Sequence, residues 1–138
     1  MANENKLKHL EFIQAVIARM NENSCHIKTW CVTILAALGA MYNLKPSIFI
    51  IVMACAIVVI FWSLDAYYLS LERKFKRMYH DVATKKESEI NFSMREWHYQ
   101  SSYWQAVFSK AARRFYLSLL ILLILTGACI LLYPYFSK

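Results

Sequence analysis

The segment FWSLDAYYLSLERKFKRMYHD, residues 61 to 81, sets one carboxylate, Asp65, at the end of an oily run, followed by two tyrosines and a burst of positive charge. A carboxylate beside a membrane span has a functional use: it lines a pore mouth or pairs with a basic group on a neighbouring helix. It also has a plain use, as an interfacial group reaching water at the membrane edge. Asp65 stands at the end of the run, not in its middle, which favours the plain use. A second constellation mixes cations with rings: Arg73, Lys74, Lys76, Arg77, Arg95, Trp97, Tyr99, Tyr103, Trp104, Lys110, Arg113 and Arg114. Arginine meets phosphate bidentately and rings stack on bases, so this is the composition of a site for a phosphorylated ligand or a single strand of nucleic acid. The candidate ligand-binding residues are Arg73, Arg77, Arg95, Trp97, Trp104, Arg113 and Arg114. Membrane topology and helix packing explain much of the same cluster without any ligand.

Other chemistry is sparse. The four cysteines, Cys25, Cys31, Cys55 and Cys129, include no C-x-x-C pair, and His9, His26, His80 and His98 are scattered. Free thiols packed as small apolar groups fit better than a metal site. No Gly-rich phosphate loop, nucleophile elbow or HExxH occurs, so neither an enzyme nor a cofactor is expected.

The elements that must position these residues are membrane helices. Of 138 residues, 59% are apolar and only two are glycine and two proline, which is too few turn-formers for a β-rich fold. Pro46 to Leu64 carries no charge over 19 positions and Phe115 to Phe136 none over 22. Each is long enough to cross a hydrocarbon core of about 30 Å at roughly 1.5 Å per residue. Thr29 to Leu44, with 16 uncharged residues, is marginal, and Lys28 at its edge extends it by snorkelling. The first 25 residues are polar-rich and amphipathic, unlike a cleavable leader.

Charge sets the orientation. Of 16 basic residues, 14 fall in the segments before the first span and between the second and third; only Lys45 and Lys138 fall on the other side. The positive-inside rule then puts the N-terminus in the cytosol and the C-terminus outside. The net charge of +7 therefore faces an anionic inner leaflet, an anionic nucleotide or an acidic protein partner, and duplex DNA is not expected. Lys45-Pro46 reads as a tight turn with proline opening the second span. Trp62, Tyr67 and Tyr68 read as an inner aromatic belt, and Tyr42, Tyr133, Tyr135 and Phe136 as an outer one.

In residues 5 to 20, Leu7, Leu10, Ile13, Ile17 and Met20 share a face widened by Phe12 and Val16, an amphipathic helix that NENS, residues 21 to 24, ends. Leu64, Tyr68, Leu71, Phe75, Met78 and Val82 are spaced four and three alternately, a heptad seam available for self-association. A helix over 47–82 would be about 54 Å long and must project from the membrane. After the polar loop ATKKESEIN, the capping-box spacing of Ser93 to Glu96 predicts a return helix. On it, Trp97, Ser101, Trp104, Phe108, Ala111 and Phe115 repeat the seam.

The expected fold is thus an all-α membrane protein. It has three transmembrane helices, an N-terminal amphipathic helix, and a cytosolic helical hairpin extending spans two and three. Its parts are residues 1–26, 27–69, 70–114 and 115–138. LEFIQAVIARMNENSCHIKTW followed by FWSLDAYYLSLERKFKRMYHDV resembles the RipA-type family of small bacterial inner-membrane proteins over residues 7 to 82. The resemblance implies a homo-oligomer, octameric in that family, in the cytoplasmic membrane, and carries no catalytic residues. In architecture alone the chain also resembles effectors of bacterial antiphage systems. Three functions follow as expectations: an oligomeric channel or membrane-disrupting effector gated through the hairpin; a non-conducting scaffold recruiting a soluble acidic partner; and a lipid-modifying enzyme, for which Asp65 alone is too little.

Overall fold

A computed structural model of the chain describes residues 2–45, 47–90, 92–95, 99 and 101–136. It contains helices and, among these residues, no strand. Helix α1, Ala2–Leu44, runs unbroken for 43 residues, and α2, Ile48–Thr84, for 37. A 3-10 turn at Glu87–Glu89 and a short α3, Tyr103–Val107, lead to α4, Lys110–Phe136. Three helices, α1, α2 and α4, are long and apolar enough to cross a membrane.

Serine side chains start two of the helices. The Ser47 hydroxyl accepts from Phe49 N at 3.3 Å at the head of α2, and the Ser109 hydroxyl accepts from Ala112 N at 3.4 Å at the head of α4. Pro46, expected to open the second span, lies outside the described residues, as do Glu96, Trp97 and Lys138. Of Tyr133, Tyr135 and Phe136 only the helical backbone is described.

The chain makes two cores along one long hairpin. In the apolar half, Cys31, Val58, Ala112 and Tyr116 are buried among Leu35, Trp62, Phe115 and Leu119. In the polar half, Ile13 of α1 is buried with Phe75, Met78 and Val82 of α2, and Leu10, Val16 and Ile17 pack around them. Lys6 Nζ fastens the free end of α1 to the last turn of α2, reaching Ala83 O at 3.0 Å and Lys85 O at 2.8 Å. Those carbonyls have no partner further along the helix, and a cation there also complements its dipole.

This arrangement corrects three sequence expectations. NENS does not end a helix: it lies inside α1, which contains neither glycine nor proline before Gly39 to interrupt it. Mid-helix Ser is tolerated where its side chain finds a partner, and Ser24 turns inward to one on α2. Ser93 to Arg95 start no helix, and Tyr99, Ser101 and Ser102, the other described residues ahead of α3, are not helical either. Tertiary hydrogen bonds hold this stretch instead, from Tyr99 OH to Asp81 Oδ2 at 2.7 Å and from Ser101 Oγ to Ser70 O at 2.9 Å. The partner of the α2 extension is therefore the first half of α1, not a helix made from residues 93 to 114. Of the return seam, Trp104 is 67% exposed and Phe108 59%, while Ser101 and Phe115 are half-buried; the buried positions are Ala106, Ala112 and Tyr116.

The stalk core makes a direct prediction. Met78→Ala deletes a fully buried side chain and is expected to cost about 2–5 kcal/mol, whereas Trp104→Ala, at an exposed position, stays within about 0.5 kcal/mol. Denaturation in a mild detergent, followed by helical circular dichroism, measures both.

Candidate functional site

The site is where the polar and apolar halves of the hairpin meet. Counted from the turn, Lys28 is 17 residues back from Lys45, and Asp65 is 18 residues on from Ser47, so the two stand at one height. Asp65 is about 26 Å along α2 from Ile48, close to the thickness of a hydrocarbon core of about 30 Å. Ser24 and Lys28 are four residues apart on α1 and therefore share a face.

That face meets Asp65. Lys28 Nζ donates to Asp65 Oδ1 at 2.8 Å and lies 2.8 Å from Oδ2, an ionic contact without hydrogen-bond alignment. Lys28 Nζ also donates to Ser24 Oγ at 2.7 Å, and the Ser24 hydroxyl in turn donates to Asp65 Oδ1. The three side chains close a ring of contacts. Asp65 is fully buried, while the Lys28 side chain remains 26% exposed on its outer flank. The expectation that Asp65 reaches water is therefore corrected: it pairs with a base on the neighbouring helix. A lone buried carboxylate carries a desolvation penalty of several kcal/mol, which only a close cation and hydrogen bonds offset.

Rings from the third span cover the ion pair. Tyr116 of α4 is fully buried, and the Asp65 carboxylate and Cys31 thiol are in electrostatic reach of its hydroxyl. Trp62 stacks on Tyr116 with centroids 5.9 Å apart at 11°, and its indole Nε1 donates to Val107 O at 3.1 Å. Ser63 Oγ and Tyr103 OH are 2.8 Å apart. The run from Trp62 to Asp65 thus holds all three membrane-length helices together at this height.

The basic and aromatic candidates do not gather around it. Arg77 borders a groove of ≈ 400 Å³ with Lys76, His80, Asp81 and Thr84. Arg95 borders a separate cavity of ≈ 320 Å³ with Asp81, Lys85, Glu89, Ser93 and Tyr99. Arg73 is half-buried; Trp104, Arg113 and Arg114 are exposed. Arg113 and Arg114 flank Ala112, which packs on Val58, so they stand at the apolar edge, away from the Arg77 groove. Trp97 lies outside the described residues. Of the heptad seam, Phe75, Met78 and Val82 are filled from α1 of the same chain; Leu64 is 46% exposed, and Tyr68 and Leu71 are half-buried. Among the described residues no three His, Cys, Asp or Glu side chains come together as metal ligands.

Sequence reading missed Ser24, Lys28, Cys31 and Tyr116 as members of the site. The available signal was the matched distance of Lys28 and Asp65 from one turn, joined to the four-residue step from Ser24 to Lys28. Nothing in the sequence placed Tyr116, since its burial depends on the angle at which α4 leans on α2.

Two outcomes are expected. Lys28→Met leaves the buried carboxylate unpaired and costs about 3–5 kcal/mol, whereas Lys28→Met with Asp65→Leu restores most or all of it; a double-mutant cycle on thermal unfolding in detergent reads the coupling. The second concerns pH. Burial first, and then the Asp81 carboxylate it donates to, push the Tyr99 hydroxyl up to about 12 from an ordinary 10. The folded value exceeds the unfolded one, so this contribution is complete below pH 10 and fades as pH rises from 10 to about 12. Loosening of residues 93 to 102, followed by limited proteolysis across that window, is expected to be steeper in the wild type than in Tyr99→Phe.

No protein-family model, curated protein or solved structure matches the chain.

Proposed function

We propose that the chain assembles with copies of itself in a bacterial cytoplasmic membrane and acts as a channel or membrane-disrupting effector. The charged stalk and the N-terminus face the cytosol, the C-terminal end faces outward, and the stalk is the gate, as in antiphage effectors of similar build. The observation that carries this reading is continuity. Helices α1 and α2 pass from polar stalk to apolar span without a break, and the buried Ser24–Lys28–Asp65 ring locks them at the crossing point. A tilt of the stalk is therefore passed to the spans as a rigid-body motion. The strong asymmetry of basic residues supports the orientation. The resemblance of residues 7 to 82 to the RipA-type family supports self-association, for which Leu64, Tyr68 and Leu71 supply exposed and half-buried apolar contact.

The apolar character of the spans favours a second reading, a non-conducting scaffold that recruits an acidic soluble partner to the basic face. With almost no polar lining, a conducting path would have to open by wetting a hydrophobic constriction.

Purified protein in liposomes separates the two. Ion flux that appears with the protein and changes on adding an anionic nucleotide supports the channel; silence with a stable oligomer supports the scaffold. If the stalk gates, Asp65→Asn, which weakens the lock without unfolding the hairpin, is expected to raise basal flux several-fold over the wild type at equal protein. Impermeant labelling of intact cells is expected to modify a cysteine placed at Lys45 and to spare one placed at Lys86.

A further inference from the structure

At the end of the bundle remote from Asp65 the helices part. Side chains of α1 and α4 meet at Cys31 and Tyr116. Further along they separate, and a wedge of ≈ 410 Å³ opens between them over α2. Its walls include Leu35, Leu38 and Gly39 of α1 and Leu122, Leu123 and Thr126 of α4; its floor is Ile50, Ile51 and Ala54 of α2. Two polar side chains in the lining bond within their own helices: Thr126 Oγ1 donates to Leu123 O at 2.8 Å, and Asn43 Nδ2 to Gly39 O at 3.0 Å. Apolar side chains line most of the wedge, with Tyr42 and Asn43 at its mouth, and an apolar space of this kind stays dry.

We propose that this wedge is a phospholipid site, taking one acyl chain between α1 and α4 with the lipid phosphate on Lys45. Three observations choose this occupant. Size is the first: the wedge follows α1 from Leu35 to Asn43, more than two turns or about 12 Å, a length that a stretch of extended acyl chain spans. Its volume lies within the usual range for ligand sites, about 300–1,000 Å³. Shape is the second: Gly39 leaves the wall open, since a Cβ built there meets nothing within 4 Å. Charge is the third: Lys45 is exposed one step beyond the polar mouth at Tyr42 and Asn43. It is the only charged residue between Lys28 and Asp65, and among the described residues no carboxylate pairs with it. A lone cation at the height of the headgroups complements a phosphodiester.

The test uses the full chain in nanodiscs of phosphatidylglycerol doped with the same lipid carrying a photoreactive diazirine at the end of one chain. Cross-links are expected to concentrate on Ile51, Leu122 and Leu123. Gly39→Leu fills the wedge where there is room for it, and is expected to keep the helical content and thermal stability of the wild type while losing those cross-links by about tenfold or more. Lys45→Gln is expected to reduce them several-fold without redistributing them. Gly39→Ala, which leaves most of the wedge open, is expected to retain them and controls for any effect of the mutation on folding. Three results overturn the proposal: labelling spread evenly around the bundle, labelling that survives Gly39→Leu, or a Gly39→Cys variant that joins two protomers quantitatively by disulfide, since a second copy would then occupy the wedge.

Discussion

The buried pair of Asp65 and Lys28 is the constraint around which the molecule is arranged. A carboxylate at the edge of an apolar span has no cheap state: it needs water, a proton, or a cation held close. Here the cation comes from the neighbouring helix, and the Ser24 hydroxyl adds a second donor to Asp65 Oδ1. Once that ring is closed, the rotation of α1 about its own axis is fixed, because Ser24 and Lys28 must face α2. The same rotation turns Ile13 toward Phe75 and Met78 in one half and Cys31 toward Val58 in the other. One polar contact thereby sets the register of two apolar cores that have no specificity of their own.

Polar residues in a hairpin of this kind serve uniqueness more than stability. Apolar helix faces slide on each other at little cost, and in lipid the hydrophobic effect does not distinguish one apolar contact from another. A shift of one turn would leave the cores of this protein about as oily as before. It would, however, strand Asp65 without Lys28, which is far more costly. The aromatic cover from Trp62 and Tyr116 adds the third helix to the same register, so the bundle is keyed at one height and free to diverge elsewhere. The gap between α1 and α4 at the far end is the visible result of that freedom.

Much of this was legible from residues 28 to 65 alone. Two uncharged runs and the Lys45-Pro46 turn between them are features of one local segment; the pairing of Lys28 with Asp65 across that turn went unread although both residues lie in it. Expectations failed where a local rule met a long-range partner. NENS has the composition of a helix end, but Ser24 finds Asp65, 41 positions away, and the helix carries on. Ser93 to Glu96 has the spacing of a capping box, but Tyr99 and Ser101 are drawn onto α2, and helical geometry cannot satisfy both. The seam from Phe75 to Val82, read as available for self-association, is filled by α1 of the same chain. Which partner fills it depended on the length of α1, and an early break assigned at NENS hid that length.

The indole of Trp62 hydrogen-bonded to the Val107 carbonyl bears on how the chain is built, not only on how it rests. That carbonyl belongs to the last residue of α3, just before the chain turns back toward the apolar phase. The depth at which α4 begins is therefore measured from a side chain of α2, and Arg113 and Arg114 alone do not set it. During synthesis the last segment would have nothing to index itself against until the preceding one is threaded. The vectorial order of translation and the geometry of the finished bundle then run in the same direction, each helix taking its elevation from the one before.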